Sequence, residues 1–278
     1  MNKIGVTFIV ENTAGREVLG EHGLAVWSET PDGGILFDTG QGSVLQRNVQ
    51  KLGIDLSTAR SIVLSHGHGD HTGGLELAVA TAPAAKVFLH PAALAAKYSR
   101  NADGQGRYIG LPPRCQSALE RRDAAIALVH GVAPVLGGVY VTGPIPRHHT
   151  EYEDAGGPFF LDQSCTQPDP LADDQALFFD SPLGTVVLLG CAHAGVVNTL
   201  HYVRQATGGR PIHAALGGMH LLSANEDRLT RTVDALREMD VRRIGLAHCT
   251  GFQAMSRLHH DLPDRCFHCV TGTRIDFG

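Results

Sequence analysis

Short apolar runs rich in Val, Ile, Leu and Phe, bounded by Gly, Pro, Asp or Ser, recur along the chain and predict β-strands. The predicted strands are Ile4–Val10, Leu24–Ser28, Gly34–Phe37, Ser61–Leu64, Lys86–Leu89, Val139–Thr142, Ala176–Phe179, Thr185–Leu189, Ile212–Leu216 and Arg243–Leu246. Between them the spacing predicts helices over Ser43–Leu52, Leu75–Ala82, Pro91–Ser99, Val196–Thr207, Asn225–Met239 and Phe252–Leu258. Pro91 suits a first helical turn, and Gly53 and Gly208 suit helix ends. Strands alternating with helices predict an α/β class, sheets covered by helices. One segment, 143–174, breaks the pattern: it is irregular, proline-bearing and ends in "DPLADD". A loop that long in a compact domain usually serves function. It reads as an insertion shaping the mouth of a site, within one domain spanning 1–278.

Composition narrows the class. With 43% hydrophobic and 18% charged residues, the chain is globular rather than disordered. The net charge is −5 and no basic stripe occurs, so nucleic acid is not the expected partner. No apolar run reaches the roughly 18 residues that a membrane span needs. The start, "MNKIGVTFIVENTAG", goes directly into a strand pattern without a signal peptide's apolar core. A cytoplasmic protein acting on a small molecule, monomeric or oligomeric, is the expectation. The six cysteines are scattered, which does not describe a disulfide framework. The lone Cys266-Phe267-His268-Cys269 is expected to be structural, and Cys191 and Cys249 to be buried inert thiols.

The densest chemistry lies in "SHGHGDHTGG", Ser65 to Gly74. It connects a predicted strand to a predicted helix that starts after Thr72. In extended backbone His66 and His68 point the same way and can reach one metal ion from one side. Asp70 and His71 follow as the chain turns and can complete that ion or reach a second. Gly67 and Gly69 leave the backbone free to wrap these donors around a small volume. A polar loop in which Asp70 merely caps the next helix would leave the histidines unexplained.

This decapeptide resembles the H-x-H-x-D-H signature of the metallo-β-lactamase-fold hydrolase superfamily. Other segments extend the resemblance. "GILFDTG" resembles the early strand turn that would place Asp38 beneath the metals. "GCAHAG" resembles the motif bearing the first metal's third histidine, here His193. "LAHCTG" resembles the late motif bearing the second metal's distal histidine, here His248. "HGLAVW", "GPIPR", "LADDQALFF", "ALGGMHL" and "AHCTGFQA" are similar to the dihydropteroate-synthase-like branch, also termed 7,8-dihydropterin-6-yl-methyl-aminobenzene-ribofuranosyl-phosphate synthase-like, over residues 22–254. The resemblance implies a four-layer αββα sandwich with mixed sheets and metals at one edge. It implies His66, His68, Asp70, His71, His193 and His248 as ligands. The better-known enzymes place a metal-bridging Asp between the last two histidine motifs. Here that interval holds "LGGMHL", whose one candidate ligand is His220.

Imidazole and carboxylate donors suit one or two zinc ions, with iron or manganese as alternatives. A bound divalent cation lowers its water's pKa to roughly 7. Asp70 would orient that water and pass its proton to the leaving group. Asp38 would accept a hydrogen bond from a ligand histidine. Arg147, His148 and His149 in the irregular loop would meet an anionic or phosphorylated substrate. The expected reaction is hydrolysis of an ester, lactone or phosphoester. The branch name offers a second reading, transfer of a dihydropterin from its diphosphate to an aromatic amine. A third is a non-catalytic metal or ligand sensor that kept the fold.

Overall fold

The computed structural model describes residues 3–121, 125–153 and 157–278. Within them the strands are, in chain order, β1 (Ile4–Val10), β2 (Ala25–Thr30), β3 (Gly33–Phe37), β4 (Ala59–Val63), β5 (Lys86–Leu89), β6 (Tyr98–Arg100), β7 (Gly106–Tyr108), β8 (Ile126–Leu128) and β9 (Ala133–Leu136). They continue as β10 (Val139–Val141), β11 (Phe159–Phe160), β12 (Leu177–Ser181), β13 (Gly184–Leu189), β14 (Ile212–Gly218), β15 (Arg243–Ala247), β16 (Cys266–His268) and β17 (Arg274–Phe277). The helices are α1 (Leu45–Lys51), α2 (Gly69–Thr72), α3 (Leu75–Thr81), α4 (Pro113–Glu120), α5 (Val196–Ala206), α6 (Glu226–Glu238) and α7 (Phe252–Asp261).

Two large sheets form, one ordered β17-β1-β2-β3-β4-β5-β8 and the other β16-β15-β14-β13-β12-β10-β9. Each has an antiparallel half and a parallel half. β3, β4, β5 and β8 run parallel, as do β13, β14, β15 and β16. Parallel neighbours need crossovers, which α1, then α2 and α3, supply to the first sheet and α5, α6 and α7 to the second. The strands read as apolar runs because both faces are buried. Ile35 and Phe37 face Val186 and Leu188 of the other sheet in the central core. Leu36 turns instead to Leu45, Leu75 and Ala118 of the helices, and Val187 to Leu200 and Leu229 on the opposite side. The result is a four-layer αββα sandwich.

The predicted strands all form, as do the predicted helices except one. Pro91–Ser99 is helical only over Pro91–Leu94, where His90 Nδ1 caps the turn by accepting from Ala92 N at 3.2 Å. The chain then enters β6, which pairs with β7 and β11 in a small third sheet. Tertiary charge overrides local helix preference there. Lys97 is fully buried, with Nζ 2.7 Å from Asp169 Oδ2 and 3.0 Å from Asp173 Oδ1. Both acids come from the segment 143–174. That segment is therefore not wholly irregular: it contributes β11 and the acids that hold Lys97. The helix expected after Thr72 forms as α3 from Leu75, and a separate short helix, α2, precedes it and carries Asp70 and His71.

The six cysteines are free. Cys266 packs on the helix side of its sheet and Cys269 between the sheets, so the C-x-x-C pair is divided between two cores. No helix among the described residues is long and apolar enough to cross a membrane.

Removing one partner of a buried ion pair strands its counter-charge. Lys97→Met is expected to cost roughly 3–5 kcal/mol, read as a lower urea midpoint. An unchanged midpoint would show that Asp169 and Asp173 do not depend on this ammonium group.

Candidate metal centre

The site forms where the parallel strands end, as ligand sites in α/β sheets commonly do. Asp38 follows β3, and the 66–71 segment follows β4. His193 comes shortly after β13, His220 after β14, and His248 directly after β15. Strand order brings these five chain ends to one edge of the sandwich. Gly67 is required by close approach: a Cβ there would stand 2.4 Å from Ala93 O.

Two donor triangles result. In the first, His66 Nε2 is 3.0 Å from His68 Nδ1 and 3.3 Å from His193 Nε2. In the second, His71 Nε2 is 3.2 Å from His248 Nε2 and 3.8 Å from Asp70 Oδ2, and His248 Nε2 is 3.4 Å from that oxygen. Tetrahedral donors about 2.0–2.2 Å from a zinc ion lie roughly 3.3–3.6 Å apart. The edges given, 3.0–3.8 Å, bracket that spacing. Neutral imidazoles carry one N–H each, so nitrogens converging in this way cannot all be satisfied by one another.

The outward nitrogens strengthen the fit. His71 Nδ1 meets Asp38 Oδ2 at 2.7 Å, and His248 Nδ1 meets Asn12 Oδ1 at 2.9 Å. His66 Nδ1 meets Ser65 Oγ at 2.9 Å, and that hydroxyl donates to Asp38 Oδ2 at 2.6 Å. Fixing the outer N–H selects the tautomer that aims the other nitrogen inward. His68 Nε2 and His193 Nδ1 are buried without a partner among the described residues. Backbone braces surround the ligands. Asp173 Oδ2 accepts from Gly67 N at 2.7 Å, Asp174 Oδ2 from Ala194 N at 2.8 Å, and Glu11 Oε1 from His248 N at 2.6 Å.

Electrostatics differ between the triangles. Burial, reinforced by neighbouring histidines, holds His66 and His193 well below the ordinary imidazole range. Burial likewise takes His68 down to about 3. These rings are neutral and offer lone pairs. Burial alone would lower His71 too, but Asp70 and Asp38 outweigh it and push it up to about 9. Burial raises Asp70, yet His71 and His248 hold it well below the usual carboxylate range. The second triangle thus selects a positive charge, carried here by His71, at a position that suits a cation.

The remaining predicted residues fall elsewhere. His220 lies against His193 with ring centroids 4.4 Å apart and the rings tilted at 50°, and its Nδ1 has no partner among the described residues. Among the described residues, Arg147, His148 and His149 make no hydrogen bond or ion pair to the donor triangles. Arg147 Nη2 donates to the Pro170 carbonyl at 2.9 Å, and the His148 and His149 amides both donate to Asn198 Oδ1 at 3.0 Å. Beside Asp70 opens a cavity of about 620 Å³, lined also by His22, Arg107, Tyr108 and Arg114. His22 Nδ1 is 3.5 Å from Asp70 Oδ2. Glu11, Asn12, Ser65, Lys97, Asp173 and Asp174 carried no separable signal in the sequence, since each acts through a partner far along the chain. Phe159, 5.0 Å from the His68 ring and 5.4 Å from that of His193, is a further wall of the site.

The family model described as the Metallo-beta-lactamase superfamily matches residues 20–248, the stretch that contains both triangles. The chain belongs to the metallo-β-lactamase superfamily. Among solved structures of this superfamily, a metal-dependent hydrolase superposes with a TM-score of 0.81 at 26% identity, over 98% of each chain. A Methanocaldococcus jannaschii protein described as uncharacterized is 30% identical, over 91% of this chain and 93% of its own length. A second protein of that organism, named 7,8-dihydropterin-6-methyl-4-(β-D-ribofuranosyl)-aminobenzene-5'-phosphate synthase, is 28% identical over 84% of this chain and 82% of its own.

Asp38→Asn keeps the shape of the side chain but weakens the acceptor for His71. Zinc affinity, measured by chelator competition, is expected to fall roughly 10–100-fold; unchanged affinity would contradict the orienting role. Protons compete with a cation for His71, so affinity at the second triangle should rise about tenfold per pH unit up to about 9. A flat profile in isothermal titration between pH 6 and 8 would contradict that sign.

Proposed function

We propose that this superfamily member is a divalent-metal-dependent hydrolase that cleaves an ester, lactone or phosphoester of an anionic small molecule. The observation that carries the reading is the pair of donor triangles, with edges that bracket metal-donor spacing, meeting at His66 and His71, whose ring centroids are 4.3 Å apart. His66, His68 and His193 would hold one cation, and Asp70, His71 and His248 a second. Zinc suits this donor set, with iron or manganese also compatible. A bound cation supplies Lewis acidity and lowers its water's pKa to roughly 7.

The chain's own residues do the rest. Asp70 is the ligand that reaches the cavity, so it is placed to orient water and accept its proton. His22 lies against Asp70 on the solvent side and offers a route by which that proton reaches the leaving group. A cavity of about 620 Å³ lies within the roughly 300–1,000 Å³ usual for small-molecule sites. Arg107 and Arg114 give one side of it positive charge, which favours an anionic substrate. Arg114 Nη2 already donates to the Gly73 carbonyl at 2.9 Å, whereas the Arg107 guanidinium has no hydrogen bond or ion pair among the described residues, which makes it the anchor. Phe159 excludes water from the first triangle's opposite side.

The relative named as a pterin-related synthase favours a second reading, transfer with a diphosphate leaving group, in which Arg107 would hold phosphate. Incubation with a dihydropterin diphosphate and an arylamine separates the two: coupled product supports transfer, and only hydrolysis products support the hydrolase.

Chelator-stripped protein should lose turnover of an ester and phosphodiester panel and regain it with zinc, manganese or iron(II). His66→Ala and His193→Ala should lose both metal and activity. Turnover persisting in the metal-free double variant would refute the proposal. Arg107→Ala should raise KM for anionic esters about tenfold with little change in kcat; an equal effect on neutral esters would remove Arg107 from substrate recognition.

A further inference from the structure

The interval "LGGMHL" lacks a carboxylate able to span two cations, and the structure does not give that place to His220. Its ring packs on His193 and lies 6.2 Å from Phe159, on the flank of the first triangle. The side chain at the seam between the triangles is Cys191. Its Sγ is 3.1 Å from His71 Nε2. It converges within 4.8 Å with donor atoms of His66 and His71, and within the same limit with His248 and Cys249. His66 belongs to one triangle, and His71 and His248 to the other. Cys191 is 4% exposed, so it faces this cluster rather than solvent.

Local backbone explains the aim. After β13 the chain passes Gly190, and Ala192 takes a left-handed conformation at φ 54. Cys191 and His193 then both turn toward the cluster, one on each side of that residue. Metal–sulfur and metal–nitrogen bonds of about 2.3 and 2.0–2.1 Å place neighbouring donors roughly 3.1–3.6 Å apart, and the Cys191–His71 spacing lies in that range. From this we propose that the Cys191 thiolate is a donor to the metal centre, joining His71 and His248 and occupying the place of the absent bridging carboxylate. The proposal rests on the metal centre proposed above.

Ligation forms a sulfur–metal bond as the S–H proton passes to water, with no change of oxidation state. A soft donor among imidazoles selects zinc, cobalt(II) or iron(II) over magnesium and calcium. Cys249 belongs to the same group as Cys191 and His248, but its contacts with backbone set it apart. Its Sγ lies 3.3 Å from His220 N and 3.5 Å from the Cys191 carbonyl, which holds it on backbone.

Cobalt(II) spectroscopy of the full-length protein tests the assignment. Cobalt-loaded native protein should show an intense near-ultraviolet thiolate-to-cobalt charge-transfer band. The band should be lost in Cys191→Ser, while elemental analysis still finds cobalt held by the histidines, and retained in Cys249→Ser. Native protein that binds cobalt without the band overturns the proposal, and that spectrum decides even if Cys191→Ser fails to fold. So does a band that survives in Cys191→Ser or vanishes in Cys249→Ser. Native protein that takes up no cobalt or zinc overturns the metal centre itself, a result distinct from losing only the thiolate.

Discussion

The buried carboxylate of Asp38 ties the two halves of the site together. Its Oδ1 accepts from the Ser65 amide at 2.7 Å, while Oδ2 takes the Ser65 hydroxyl at 2.6 Å and His71 Nδ1 at 2.7 Å. Through Ser65 it also fixes His66. One side chain thus orients a donor in each triangle, and neither could be held without it as closely. The arrangement has structural costs. Asp38 sits at φ 58, a backbone region costly for a side-chain-bearing residue. Gly190 must lack a side chain, because a Cβ there would lie 2.2 Å from Ser65 Oγ.

The sandwich makes this tie possible. Parallel strands put their C-terminal ends on one edge, and the two sheets bring Asp38 and the 66–71 segment from one side to His193 and His248 from the other. The close-packed core between the sheets, with Phe8, Phe37, Val186 and Leu188 fully or nearly fully buried, sets the spacing. Small displacements there would change donor distances that a cation tolerates only within a few tenths of an ångström. The segment 143–174 adds a second set of braces. Asp173 bridges Lys97 and the Gly67 amide, and Asp174 holds the amide beside His193. Its acidic end is structural support for the ligand loops rather than a solvated tail.

Charge is divided as well as shape. The first triangle is made of imidazoles that burial keeps neutral, while the second has two carboxylates around His71 and demands a positive charge. A cation entering the second triangle replaces a proton, and one entering the first replaces nothing. In the proposed centre the two positions would therefore differ in pH dependence although they adjoin, with the His66 and His71 ring centroids 4.3 Å apart. On the open side Asp70, His22 and Arg107 line one cavity, the place where the proposed reaction would meet its substrate.

Apolar and periodic patterning determined the α/β class with sheets covered by helices, because strands buried on both faces read as apolar runs and the helices between them as periodic ones, while the four-layer sandwich followed from the resemblance of the motifs. The sequence also made the candidate donors legible, since "SHGHGDHTGG" packs them into one short stretch. Asp38 was legible as well, being beside a turn in a recognisable strand end. Tertiary structure decided whatever depends on distant partners. Lys97 left its predicted helix because two acids some seventy residues later neutralise it. Tertiary structure also set the partners of the 147–149 stretch, with Arg147 on the Pro170 carbonyl and the His148 and His149 amides on Asn198. Strand β17 pairs with β1 from the far end of the chain, which no local pattern encodes. Cys191 looks like any buried thiol in sequence; only the folding of β13 against the 66–71 loop sets its sulfur beside His71. Periodicity records which faces are buried, whereas convergence of side chains depends on strand order and sheet packing, which no short window of sequence contains.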